Sequence, residues 1–216
     1  MIFPAKTQLN KILPKAKFMK FAKLSTAARN ELASNTERLI LANILRKDTV
    51  NAAAGKDVQE INVFEIYLKE KKFSDNLIKE IDSVLPKHVL YILKYGNLAQ
   101  LAISFKEKTL KNTYRVLKVY RTNWMNVEDL ALEVSGLNLD CIFNNFISQI
   151  SNKETVMADN LSMAQAVKAS VEIEKLERKI KQLENKIRKE PQFNRQLELK
   201  NELKELRLTK MRYKNG

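Results

Sequence analysis

The stretch Glu60-Ile61-Asn62-Val63-Phe64-Glu65-Ile66-Tyr67-Leu68 decides the fold class. Ile61, Val63 and Tyr67 interleave with Phe64, Ile66 and Leu68, so a strand here is apolar on both faces. That β-branched and aromatic content suits a central strand and is too apolar all round for an exposed helix. Downstream, Ser74 stands where a side-chain oxygen can accept a free helix N–H, and Leu77, Ile78 and Ile81 give the following helix an inward face before Pro86 closes it. Two apolar runs then flank Tyr95-Gly96-Asn97-Leu98, His88 to Lys94 and Gln100 to Lys106, which reads as a hairpin. Tyr114 to Tyr120 continues it as a meander. The expectation is an α+β domain: a mostly antiparallel sheet of about four strands with packing helices.

Working outward, Pro4 and Pro14 bracket an opening segment, and Lys15 to Leu24 alternates bases with Phe18, Met19, Phe21 and Leu24 at helical spacing. Ser25 or Thr26 can cap a helix whose face is Leu32, Thr36, Leu39, Ile40 and Ile44, ending near Arg46. Asn51 to Lys56 is a small-residue loop, Thr122 to Met125 another, and Val127 to Leu132 a short strand or helical turn. Leu139 to Ile150 places Ile142, Phe143, Phe146, Ile147 and Ile150 on a packed helix. The domain is expected over residues 1–151, with a polar linker at 152–162 and a basic helical hairpin at 163–216.

That tail has a different grammar. Ile173, Leu176, Ile180, Leu183 and Ile187 recur at steps of three and four, the seam of a coiled coil, and Leu199, Leu203 and Leu206 begin a second seam. Pro191 between them fits a first helical turn, so one helix ends and another begins there. Folding back as an antiparallel hairpin lets each seam bury the other, the rival being an intermolecular coiled coil.

Composition removes several chemistries. The 216 residues include one His, one Cys and four widely spaced Gly. Structural zinc, Cys/His nucleophilic catalysis, disulfide scaffolds, a phosphate-binding P-loop and a dinucleotide-binding glycine fingerprint cannot be written with these parts. No apolar window has the length of a membrane span. The Lys-rich start superficially resembles an organelle presequence but uses Lys rather than Arg and contains two prolines, so a cytoplasmic protein is expected.

The net charge of +14 is unevenly placed. Residues 1–30 hold seven bases and no acid, residues 31–170 balance to +1, and residues 171–216 carry +6. Clustered cations gain by releasing counterions from a polyanion, whereas coding bias alone would spread the excess. Lys11, Lys15, Lys17, Lys20 and Lys23 are therefore the expected nucleic-acid contacts, with Arg115, Lys118 and Arg121 as a second group. Phe18 and Phe21 are expected to pack inward rather than stack on bases. Trp124 either braces a partner or anchors the core, and Phe193 and Arg195 complete the candidate partner-binding set.

Catalytic alternatives are thin. A magnesium nuclease needs a carboxylate beside Glu-x-Lys on a neighbouring strand, and Glu70-Lys71-Lys72 with Asp57 upstream is the nearest approach, otherwise read as a charged strand terminus. Glu60 and Glu65 are an odd number apart, hence on opposite strand faces, and are read as strand-edge solubility. His88 is read as capping or surface, and Cys141 as a buried thiol discouraged from ionising by Asp140. No metal, no cofactor and no catalytic residue is expected.

Several segments in order carry a resemblance: Phe3-Pro4, Asn10-Lys11-Ile12-Leu13-Pro14-Lys15 with Phe18, Val58 to Ile66, Thr122-Asn123-Trp124-Met125, Gly136-Leu137-Asn138-Leu139-Asp140, and Gln192 to Leu199. Together they resemble the bacterial domain-of-unknown-function family four-three-nine-one across nearly the whole chain. An acid is expected before the Trp and this chain has Asn123. The resemblance implies a small protein encoded beside helicases and DNA methyltransferases in restriction-like or antiphage loci, with no catalytic motif to transfer. The expected function is a non-enzymatic accessory subunit of a DNA-defence complex. It would dock a helicase or translocase, with a DNA methyltransferase as a further partner, and touch the duplex DNA backbone through its basic ends. The alternatives are a pure interaction module on a helicase, or a divergent metal-dependent nuclease using Glu70.

Overall fold

The computed structural model describes residues 3–110, 113–151 and 162–215. The chain divides into two compact units, residues 1–154 and 155–216.

Among the described residues, the first unit is α+β around a seven-stranded mixed sheet. Its strands are β1 (Gln8–Ile12), β2 (Thr36–Leu45), β3 (Ile61–Leu68), β4 (His88–Tyr95), β5 (Leu98–Lys108), β6 (Tyr114–Arg121) and β7 (Met125–Asn126). They lie in the order β1-β2-β3-β4-β5-β6, with β7 also pairing β5. The helices are α1 (Lys15–Phe21), α2 (Thr26–Asn35), the short α3 (Lys47–Val50), α4 (Asp75–Val84) and α5 (Leu139–Ile150).

The four-stranded antiparallel expectation is overturned in two places. First, β3 and β4 are parallel, Ile61 opposite His88 and Tyr67 opposite Lys94. Parallel neighbours need a crossover, which α4 supplies, and their burial on both faces explains why both read as unbroken apolar runs. Second, the helix expected to run to Arg46 stops at Asn35 and the chain continues as β2. Thr36, Leu39, Ala42 and Leu45 are buried at intervals of three, which mimics a helical face. Two of the three intervals coincide with register shifts against β3, between Thr36 and Arg38 and between Leu41 and Asn43. Each bulge adds one residue and turns a period of two into three.

Ser25 caps α2 and Ser74 caps α4 by accepting from Ala28 N at 3.2 Å and Leu77 N at 3.1 Å. The β4–β5 hairpin closes at Tyr95 opposite Leu98, and Gly96 takes φ 54° at no Cβ cost. Phe18, Leu24 and Leu32 join Leu77, Ile78 and Ile81 on one sheet face against Phe64, Ile66 and Tyr91. On the other face α5 meets β4 through Phe143, whose ring lies 4.6 Å from that of His88 in an edge contact.

The second unit is a helical pair, α6 (Met163–Lys189) and α7 (Phe193–Asn215). Glu184 accepts from Arg207 at 2.8 Å and Glu177 from Lys210 at 2.7 Å, so the helices run antiparallel, with Leu183 and Leu199 buried. Of the expected linker at 152–162, only Ser162 is described; it caps α6 with a reciprocal Gln165 contact.

Candidate nucleic-acid interface

The acid-free opening of the chain forms the outer edge strand β1, whose five residues are all exposed, and then the seven-residue α1. At 100° per residue, Phe18 and Met19 share the inner arc of α1, continued by the C-cap Ala22, while Lys17, Lys20 and Phe21 share the outer one. Phe18 is 8% exposed and packs edge-on against Phe64, but Phe21 is 62% exposed. The inward placement expected for Phe21 is thus overturned, because the single buried arc of a two-turn helix is already filled by its neighbours.

The five lysines expected to contact nucleic acid separate into two groups. Lys11, Lys17, Lys20 and Lys23 are exposed, and none is ion-paired among the described residues. Lys15 turns inward, donating to Thr36 O at 2.7 Å and Ala33 O at 3.5 Å, where it satisfies carbonyls at the end of α2. Lys23 follows α1 at φ 45°, a left-handed conformation usually given to Gly or Asn.

The second group on β6 is largely committed to the fold. Arg121 donates to Asp75 at 2.6 Å, Gln100 at 3.0 Å and the Phe73 carbonyl at 2.5 Å, tying β6 to the start of α4. Lys118 lies 4.9 Å from the Tyr120 ring centroid and is otherwise engaged, leaving Arg115 as the exposed member. Trp124 is half-buried against the core, its anchoring alternative. In the second unit Phe193 is 74% exposed, and Arg195 pairs with Glu198 at 2.5 Å, whose hydrogen bond raises the guanidinium pKa.

The remaining candidates take structural positions. Glu70 is exposed beyond the end of β3 and Asp57 precedes its start, so they stand at opposite ends of an eight-residue strand. Glu65 is not at a sheet edge: it pairs with Lys94 at 2.8 Å and receives Tyr67 OH at 3.1 Å on a central strand. That pair borders a cleft of about 350 Å³ with Asn43, Gln8 and Glu128. His88 is buried rather than at the surface, and desolvation lowers its pKa to about 4. Cys141 is exposed rather than buried. Asp140 accepts from Lys56 N at 2.6 Å and Val58 N at 2.7 Å, so it clasps the loop before β3 instead of acting on the thiol.

A fully buried polar knot joins three elements. Asp82 of α4 accepts from Tyr91 at 2.7 Å and from Ser104, and burial lifts its carboxyl pKa to about 6. Lys106 donates to Leu85 O at 2.6 Å and Lys87 O at 2.8 Å, and burial lowers its pKa to about 8. These groups satisfy one another and the end of α4, which fits a structural network. No group of three or more His, Cys, Asp or Glu suited to a metal occurs among the described residues, and none of their helices is long and apolar enough to cross a membrane.

The sequence signal missed was Phe21 itself. Its spacing of four from Lys17 and one from Lys20 places it on the basic face, a reading available once α1 is known to be a single amphipathic turn pair. The strained backbone of Lys23 left no mark in the sequence. A family model described as a domain of unknown function, DUF4391, matches residues 1–208. No curated protein and no solved structure matches the chain.

Proposed function

The chain belongs to the DUF4391 family of domains of unknown function, and from that premise we propose that it is a non-catalytic accessory subunit of a bacterial DNA-defence complex. In this reading it docks a helicase or translocase partner, beside a DNA methyltransferase, and touches the DNA backbone through its basic N-terminal segment. The observation that supports it is the group Lys11, Lys17, Lys20 and Lys23, exposed and without ion pairs among the described residues, in a segment that contains no acid. Cations that no carboxylate neutralises are free to displace counterions from phosphates, and such contacts carry no base preference.

The test is duplex binding as a function of salt. Affinity is expected to fall steeply with ionic strength at a slope of about 0.9 per phosphate neutralised. Replacing the four lysines with Ala should weaken every duplex sequence alike. A purified protein that ignores duplex DNA at low salt removes this half of the proposal. The partner half is tested by co-purification with neighbouring gene products, with and without nuclease treatment.

A second reading makes the chain an interaction module that meets an acidic patch on the helicase. It draws on α7, where Phe193, Leu197 and Met211 are exposed on the helix face that carries Lys200 and Lys204. Under that reading, charge removal on α7 abolishes co-purification and leaves DNA affinity unchanged.

A further inference from the structure

We infer that the outer face of α1 is a stacking platform for single-stranded DNA, with Phe21 contacting a base and Lys17, Lys20 and Lys23 tracking the adjacent phosphates. The inference rests on the reading that this segment contacts nucleic acid, and it deepens that reading by naming the form bound.

Two independent observations carry it. The first is the position of Phe21. A large aromatic side chain on the outer arc of α1 does nothing for the core, which Phe18 and Met19 already fill from the inner arc. Its immediate helical neighbours on that arc are Lys17 and Lys20, both exposed. An aromatic face flanked by cations is what an unpaired strand requires: a π surface for any base and positive charge at phosphate spacing. A duplex offers that aromatic nothing, because its bases are stacked on each other and only the phosphates and groove edges are reachable.

The second is the backbone at Lys23. Two residues after Phe21, the chain adopts a left-handed conformation with a lysine where Gly or Asn would be unstrained. That turn closes α1, with Lys23 N donating to Lys20 O at 3.4 Å, and it leaves the exposed Lys23 ammonium without an ion pair among the described residues. It places an exposed cation two residues beyond Phe21, at the C-terminal end of α1. Leu24, the next residue, is buried and fixes where that turn sits.

The experiment measures fluorescence anisotropy of a labelled twenty-nucleotide oligo(dT) and a labelled duplex of equal length against the full chain. The variants are Phe21→Ala, Phe21→Trp and the Lys17, Lys20 and Lys23 triple Ala replacement. Phe21→Ala is expected to weaken oligo(dT) binding roughly tenfold or more, the scale of one lost base stack, while leaving duplex affinity and the thermal melt unchanged. Phe21→Trp should bind oligo(dT) at least as well as the parent. The triple replacement should weaken both ligands. If Phe21→Ala binds oligo(dT) as tightly as the parent, or loses both ligands equally, the platform is overturned while backbone contact stands. If the parent binds neither ligand at low salt, backbone contact itself fails and the platform with it.

Discussion

The phenol of Tyr91 donates a 2.7 Å hydrogen bond to Asp82, and both side chains are completely buried between α4 and the sheet. Burial raises the Asp82 carboxyl from 3.8 to about 6, and burial, reinforced by the adjacent Asp82 carboxylate, also raises the Tyr91 phenol. On the opposite sheet face, burial lowers His88 from 6.5 to about 4.

These two shifts act oppositely on stability in one pH window. Between about pH 4 and 6 the native state holds a proton on Asp82 that the unfolded chain releases, so this group's contribution declines as pH rises. Over about pH 4 to 6.5 the unfolded chain binds a proton at His88 that the native state refuses, so that contribution is lost as pH falls. The parent protein is expected to be nearly level across this window. Asp82→Asn should leave stability falling towards acid, and His88→Phe should leave it falling towards neutrality, each by on the order of 3 kcal/mol. Urea unfolding at half-unit pH steps reads both slopes, and parallel slopes in the two variants would refute the assignment.

Gly55 has no room for a side chain. A Cβ there would lie 2.2 Å from Asp140 Oδ1 and 2.7 Å from Asp140 N. Gly55→Ala is expected to cost about 1–3 kcal/mol by pushing Asp140 off the loop N–H groups it satisfies. Equilibrium denaturation measures it, and a loss below about 0.5 kcal/mol would show that the loop yields freely.

Lys15 and Lys17 are two residues apart and should behave differently. Removing the Lys15 ammonium leaves the carbonyls of Ala33 and Thr36 short of a donor, so Lys15→Ala should cost roughly 1–2 kcal/mol of stability with the salt dependence of DNA binding unchanged. Lys17→Ala should leave stability within about 0.5 kcal/mol and lower the salt slope by about one. Melting curves and salt titrations on the same preparations separate them.

Lys23→Gly should move stability and binding in opposite directions. Relieving the left-handed strain is expected to stabilise the fold by up to about 1 kcal/mol, and losing the cation should weaken binding of oligo(dT). A variant both less stable and equally able to bind would contradict the role given to this residue.

Legibility varied by element. Ser74 and the apolar spacing behind it placed α4, and the Phe143, Phe146, Ile147 and Ile150 pattern placed α5, because caps and a 3.6-residue face are local properties. β2 was misread because its buried residues follow a helical period, two of whose three intervals coincide with bulges in the pairing with β3. β1 has no buried residue at all, so no alternation announced it. Among the candidate cations, nothing local distinguished Lys15 or Arg121 from Lys17. Their partners, Ala33, Thr36, Asp75 and Gln100, lie about 20 or more residues away.

By itself the sequence determined the charge map, the helix caps, the Gly96 turn and the two leucine seams of the tail, since each depends on residues within a turn or two of one another. Tertiary structure alone decided that β3 and β4 run parallel, that β2 is a strand, and which lysines face water. Strand direction, register and ammonium exposure are set by contacts between distant segments; the unbroken apolar runs of β3 and β4 marked burial on both faces but did not fix direction or register.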